Sequence, residues 1–210
     1  MNTLVFLLLI IGQHDFTIGR LKYGGGGDWY ANPSSLTNLL AAVNERTSIR
    51  AAPREEVVEI TDPRLFEHPY LYMTGHGNVH FTDDEVKVLR GFFAAGGFLH
   101  ADDNYGMDST FRREIARIFP ESPLVELPFD HPIYGSFYEF DKGLPKIHEH
   151  DGNAAQGLGI FYNDRLVVFY TYECDLGDGW EDPDVHNDPP ETREQAIQMG
   201  INIIMHYLTN

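Results

Sequence analysis

The chain has 210 residues, enough for one sizeable core, and 42% of them are hydrophobic and 13% aromatic, which excludes a disordered chain. Thirty-two acidic against 15 basic side chains leave a net charge of −17, which speaks against a general affinity for phosphate backbones. One cysteine, Cys174, excludes an intrachain disulfide and a four-cysteine zinc site.

In chain order, the apolar run Leu4–Ile11 is too short to cross a bilayer. It reads either as the core of a secretory signal, making residues 1–14 a signal segment, or as a buried strand. No lysine or arginine precedes it, and no small-x-small cleavage site follows before Gln13-His14-Asp15. Phe16 to Tyr23 alternates as a first strand, and Gly24 to Gly27 turns the chain. Asn32-Pro33 is expected to open a helix as N-cap and first residue, with Leu36, Leu39, Leu40 and Val43 on its apolar face. Val57–Ile60 is a second strand, and Tyr70–Thr74 a third that runs into Gly75-His76-Gly77. Thr82 and Glu85 then form a capping box ahead of the stripe Val86, Leu89, Phe93. Gly96-Gly97 stops that helix. The short strand Phe98-Leu99-His100-Ala101 follows and ends in a polar crest, Asp102-Asp103-Asn104-Tyr105-Gly106. Asp108 or Ser109 is expected to cap the next helix, whose inner face carries Phe111, Ile115 and Ile118.

Residues 120 to 157 are rich in proline, glycine and aromatics without helical period, and read as a loop-rich excursion. Gly159–Tyr162, the turn Asn163-Asp164 and Leu166–Tyr172 read as a hairpin or a strand pair. An acidic loop, Glu173 to Pro190, leads to a last helix with Ile197, Ile201, Ile204 and Leu208 facing inward. With no repeat and no linker, residues 15–210 form a single three-layered α/β domain. Helix, strand, crest and helix in succession describe an open sheet whose ligands gather at the carboxyl ends of its strands. The loops starting near 24, 75, 102 and 173 are therefore expected on one edge.

Several residues at that edge are candidates. The tetraglycine loop sits where phosphate-cradling loops sit, but no Gly-Lys-Ser/Thr follows and Trp29 stands where a GxGxxG frame needs glycine. Asp28 would repel an anion, so a tight turn is the preferred reading. His76, between glycines, is a candidate catalytic residue, whereas His76 and His80 do not share a helix that would aim both at one metal. Alternation puts His100 and Asp102 on one face and Asp103 on the other. Adjacent carboxylates raise one another's pKa or share a hard cation; the competing reading is that they cap backbone amides of the turn. His131, His148 and His150 come from the excursion without the HExxH spacing, and exposed loop histidines are the default reading. Glu173-Cys174-Asp175 ends an apolar strand at the same rim. The series Asp178, Glu181, Asp182, Asp184, Asp188 does not fit an EF-hand; a solvated acidic loop is preferred over a weak calcium site. Cys174, flanked by two acids, reads as structural rather than nucleophilic, and there is no GxSxG elbow.

The stretches FTIGRLKYGGGGDWYANPSSLTNLL, MTGHGNVHFT, GGFLHADDNYG, LPFDHPIYG and YECDLGDGWE, in that order, resemble an uncharacterised bacterial family, domain of unknown function four-one-five-nine. The resemblance runs from about Phe16 to the carboxyl terminus. It implies a fold similar to the class I glutamine amidotransferases: a three-layer sandwich with a mostly parallel, flavodoxin-like sheet, here with a loop-rich insertion. It also implies an exported or membrane-anchored setting, which tips residues 1–14 toward a signal segment and the location toward the periplasm or beyond. The amidotransferase pattern needs a cysteine at the turn after the crest strand, where this chain reads Ala101-Asp102-Asp103-Asn104-Tyr105, so the glutaminase mechanism is not carried over. The family implies no established activity.

Two functions are expected from different classes. The first is a non-catalytic module binding a small polar ligand, a glycan or a partner protein through Gly25, Gly26, Asp28, Trp29, His76, His100, Asp102, Asp103, Asn104, Asp175 and Trp180. Trp29, Tyr30, Phe129, Tyr134, Phe137, Tyr138 and Trp180 then form a stacking wall, unless they are core. The second is a hydrolase without a cysteine nucleophile. In it a divalent cation on Asp102, Asp103 and Asp175, or a carboxylate–histidine pair drawn from His76, Asp103 and His131, activates water. A divalent cation is the one cofactor in view. No nucleic-acid partner is expected, and membrane association only through the N-terminal segment.

Overall fold

Seven strands form one sheet in the computed structural model, which describes residues 14–150 and 152–210. The Leu4–Ile11 run, with its alternatives of signal or strand, lies outside the described residues. The strands are β1 (Gly19–Lys22), β2 (Glu56–Glu59), β3 (Tyr70–Met73), β4 (Phe98–Asp102), β5 (Val125–Glu126), β6 (Gln156–Tyr162) and β7 (Arg165–Tyr172), in the order β2-β1-β3-β4-β7-β6-β5. The first five in that order run parallel, and the β6–β7 hairpin and β5 add an antiparallel margin. β3 and β4 are buried along their whole length, which is why they read as short apolar runs rather than alternating ones.

Helices cover both faces. On one side α1 (Ser35–Arg46) and α6 (Pro190–Thr209) bring Leu36, Leu39, Leu40, Val43, Ile201 and Ile204 against Tyr72, Phe98 and Phe169. On the other, α2 (Asp83–Ala94) and α3 (Asp108–Ile118) bring Val86, Leu89, Phe93, Phe111, Ile115 and Ile118 against Leu71, Leu99 and Val168. Each helix has one apolar face because each touches the sheet along one stripe. This is the α/β, three-layered arrangement expected from the element order. Among the described residues no helix is long and apolar enough to cross a membrane.

The capping box forms as read: Glu85 N donates to Thr82 Oγ1 at 3.2 Å and Thr82 N to Glu85 Oε2 at 2.7 Å. Two other helix starts differ. α1 begins at Ser35 rather than at Pro33, because Asn32 adopts φ 57° and its side chain is taken by Asp178 across the sheet edge. α3 is preceded by Met107, and Asp108 is its first residue. The Asp108 carboxylate is held instead by Arg112 Nε at 2.6 Å and Tyr170 OH at 3.1 Å.

The largest departure is the acidic segment after β7. Only its second half is solvated: it contains α4 (Leu176–Trp180) and α5 (Pro183–His186), and Glu173, Asp175, Asp178 and Glu181 are buried while Asp182 and Asp184 are exposed. Leu176 and Trp180, four apart, plug the core beneath α1 and α6, and Trp180 Nε1 donates to Ala196 O at 2.7 Å. Their burial draws Asp178 between them and the flanking Asp175 and Glu181 inward. The excursion is tied down by Asn202 of α6, whose amide side chain accepts from the backbone of Phe137 and Tyr138 and donates to Tyr138 O.

His100, expected at the rim, stands in the core instead, edge-on to Tyr72 and Trp180. Its Nε2 lies 3.1 Å from Thr171 Oγ1, and among the described residues its Nδ1 has no partner. Burial holds the imidazole down to about 3, against 6.5 in an unfolded chain. The neutral ring therefore stabilises the fold fully above pH 6.5, and that contribution is lost as pH falls toward 3. The expected slope from this ring is at most about 1.4 kcal/mol per pH unit. Urea titrations between pH 6.5 and 4 should show a flatter loss of stability for His100→Gln than for the parent; equal slopes would remove His100 as the cause.

Candidate functional site

Because β1, β3, β4 and β7 are parallel, the loops that leave them emerge on one edge, and hydrogen bonds stitch them together there. Asn78 Nδ2 donates to Gly25 O at 2.9 Å across the β1 and β3 loops. Asn104 Nδ2 donates to Asn32 Oδ1 at 2.8 Å, and Asn32 Nδ2 donates in turn to Asp178 Oδ1. The shared edge is thus present.

Asp102 closes β4 and is fully buried. Its carboxyl accepts from the backbone amides of Gly177 (2.7 Å) and Leu176 (3.3 Å), from Thr171 Oγ1 and from Tyr72 OH (3.3 Å). Burial, with Asp175 close by, pushes its pKa up to about 8, while Thr171 and the two amides pull the other way. All this capacity is spent inside the protein. Of the two readings given to the crest aspartates, Asp102 follows the one in which the carboxyl caps backbone amides. Gly177 is required here: a Cβ would stand 2.6 Å from Tyr72 OH and 3.2 Å from Asp102 Oδ2.

Beyond Asp102 the carboxylates of the acidic segment meet three imidazoles, His148 and His150 from the excursion and the segment's own His186. His148 Nδ1 lies 2.8 Å from Asp178 Oδ2 and 3.4 Å from Asp175 Oδ2, and its Nε2 lies 3.0 Å from Asp188 Oδ1. His186 Nε2 is 3.5 Å from Asp178 Oδ2 and 2.9 Å from Glu181 Oε2. His150 Nε2 is 2.8 Å from Asp175 Oδ2. Hydrogen bonds to Asp175 and Asp178 raise His148 to about 11. Asp178 is held low: burial works against it, but His148, the neighbouring His186 and Asn32 prevail. Asp175 is raised, chiefly by burial. His148 and His150 are therefore not the exposed loop histidines expected. One ligand atom each from His148, Asp178 and His186 lies within 4.8 Å of the other two, an arrangement able to hold a metal ion. Among the described residues, Asp175 Oδ1 and Asp188 Oδ2 are buried with no donor.

The other expected residues are scattered. Asp28 and His76 pair, with His76 Nδ1 2.9 Å from Asp28 Oδ2 and the His76 amide also donating to that carboxylate, which is held low by these bonds against the cost of burial. Gly25 and Gly26 have φ of 105° and 90°, the tight turn anticipated. Trp29 lies beneath Lys22, whose Nζ is 5.8 Å from its ring. Asp103 lines a separate cavity with Tyr105 and Glu173. His131 is far from this edge: with His206, Phe161 and Arg165 it lines a cavity beside the turn at the amino end of β7, and its side chain accepts from Ile133 N. Asp102, Asp103 and Asp175 do not converge on one point; the three-ligand group forms elsewhere. The aromatic wall does not assemble either. Trp180 and Tyr134 are core, while Tyr30, Phe129 and Phe137 are exposed in three places.

Residues 17–208 match the family described as Domain of unknown function (DUF4159). The chain belongs to this family. No curated protein matches it.

In the sequence of this DUF4159 domain nothing local marks His186 or Asn32 as site residues, and His148 reads there as an exposed loop histidine. Two pairs at this site reach far along the chain, His148–Asp178 over 30 positions and Asn32–Asp178 over 146, while His186–Asp178, eight apart, matches no ligand motif. The available signal was the pair Leu176 and Trp180, whose helical spacing in an acidic stretch marks a buried anchor. Asp102→Ala is expected to leave two amides and the Tyr72 hydroxyl short of an acceptor, with Thr171 keeping its bond to Ala101 O, and to lower the unfolding free energy by about 3 kcal/mol or more. Asp102→Asn, which keeps an acceptor, is expected to cost less. Urea denaturation of both variants checks the order, and an Asn variant as unstable as the Ala one would refute the capping role.

Proposed function

We propose that this domain is a metal-dependent binding module, holding a divalent transition metal between His148, Asp178 and His186 and using it to engage a small polar ligand. The observation that carries the reading is the convergence of two imidazoles and one carboxylate, His148 from the excursion with Asp178 of α4 and His186 of α5. Metal–ligand bonds of 2.0–2.2 Å set neighbouring donors roughly 3.4 Å apart around a tetrahedral ion. The two Asp178 contacts, at 2.8 and 3.5 Å, bracket that spacing.

The surroundings support it. Metal-binding imidazoles ordinarily donate their other nitrogen to a carboxylate, and metal-binding carboxylates are themselves hydrogen-bonded. His148 Nε2 faces Asp188 Oδ1 at 3.0 Å, and Asp178 Oδ1 accepts from Asn32. The unpartnered oxygens of Asp175 and Asp188 add lone pairs around the same cluster. Imidazole with carboxylate suits zinc, iron or nickel better than calcium or magnesium. The cation therefore sits on residues other than the Asp102, Asp103 and Asp175 first expected.

A hydrolase is the second reading, favoured by one feature: three protein ligands leave coordination positions for water or substrate. We also infer a flavodoxin-like fold of the class I glutamine amidotransferase kind, supported by the parallel order β2-β1-β3-β4-β7 with helices on both faces. Cys174 has no share in either reading: it is fully buried, and burial with the charges of Asp102, Asp103 and Asp175 drives its pKa well up.

Isothermal titration with zinc chloride is expected to show one site per chain. His148→Ala, His186→Ala and Asp178→Asn should each weaken binding by more than about a hundredfold, and Asp188→Asn by about 10–100-fold. Zinc affinity unchanged in all four variants would mean that the cluster is an ion-pair network alone. Turnover of an ester, phosphate or glycoside panel by the zinc-loaded protein would select the hydrolase.

A further inference from the structure

A second cavity, about 310 Å³, opens beside the crest and is bordered by Asp103, Tyr105, Asp108, Tyr172 and Glu173. Its three carboxylates differ in what already serves them. Asp108 is held by Arg112 Nε at 2.6 Å and Tyr170 OH at 3.1 Å. Glu173 is held by Lys146 Nζ at 3.1 Å. Asp103 is only 3% exposed, and among the described residues its Oδ1 has no donor. A buried carboxylate oxygen without a donor is costly, and native proteins retain one mainly where a ligand or ordered water completes it.

The walls indicate what completes it. Tyr172 already receives a cation, with Arg112 Cζ 5.3 Å from its ring centroid. Tyr105 is half exposed, held at φ 63°, and stacked on His150 with centroids 5.1 Å apart and planes at 27°. Aromatic faces beside an unpaired carboxylate favour an organic cation. A bare metal ion needs several free carboxylate oxygens converging, and here two of the three carboxylates are committed to Arg112 and Lys146. Burial, with Asp108 adjacent, pushes the Asp103 carboxyl up to about 6, as befits a group short of a counter-charge.

We propose that this cavity binds the primary ammonium group of a small organic molecule, with its N–H donors on Asp103 and its carbon frame against Tyr105 and Tyr172. The cavity volume suits a fragment of amino-sugar or alkylamine size. The net charge of −17 draws such cations toward the protein. The inference does not depend on a metal at His148, Asp178 and His186.

The test is a titration of the nitrogen-15-labelled full chain at pH 7.5, with chelator present, followed by amide chemical shifts. Glucosamine and n-butylammonium are the probes; glucose and n-butanol are their neutral counterparts. Saturable shifts at Asp103 to Gly106 and at Glu173 are expected with both ammonium probes and with neither neutral one. Asp103→Asn should weaken that binding at least tenfold, and Tyr105→Ala, at a half-exposed position, several-fold. No saturable shift with either ammonium probe overturns the proposal, as does equal binding of the neutral compounds or unchanged binding in a folded Asp103→Asn. Should that variant not fold, unchanged binding in Tyr105→Ala overturns it. Calcium chloride, in chelator-free buffer, producing the same shifts at lower concentration than the ammonium probes would also overturn it, by making the site inorganic.

Discussion

The buried carboxyl of Asp102 is the constraint on which the functional edge depends. It ends the central strand β4 and takes hydrogen bonds from β3 through Tyr72, from β7 through Thr171, and from the first amides of α4. Two consecutive amides fixed on one carboxyl define the direction in which the chain leaves β7. That direction then fixes Asp175, Asp178 and Trp180, because α4 is a single rigid turn and a half. The approach is close enough that only glycine fits at 177.

A second constraint is electrical. Burying Glu173, Asp175, Asp178 and Glu181 within nine positions costs several kcal/mol for each unpaired charge. The chain meets this mostly with groups from elsewhere, Lys146 for Glu173, His150 for Asp175, His148 and Asn32 for Asp178 and Ser34 for Glu181, and with the segment's own His186, which also serves Glu181. The loop-rich excursion therefore has a physical task, since it delivers Lys146, His148 and His150 to an edge that the parallel strands alone would leave negative. Among the described residues, carboxylate oxygens remain unserved at Asp103, Asp175 and Asp188, and these are positions at which a ligand can add stability.

Local features were legible in the chain because their causes are local. The Thr82–Glu85 box is a reciprocal bond over three residues, and the Asn163-Asp164 turn adopts φ of 51° and 60°, the conformation its residues favour in a hairpin. The crest was legible as an address but not in its division of labour. Asp102 and Asp103 are neighbours, yet one is saturated by four donors and the other lacks one, and alternation along a strand cannot say which. The helix starts were misread where side chains had distant duties: Asn32 looks like an N-cap until Asp178, 146 positions away, takes its amide.

The sequence by itself determined the α/β class, the helix faces apart from Leu208 of α6, which is exposed rather than inward, and the edge where the loops gather, because hydrophobic period and turn chemistry act over a few residues. It also determined that no cysteine stands in the turn after β4. Only the tertiary structure decided which charged groups meet. His148, Asp178 and His186 come together through the burial of Leu176 and Trp180 and the anchoring of α4 on Asp102, and contacts made by packing leave no spacing in the chain to be read.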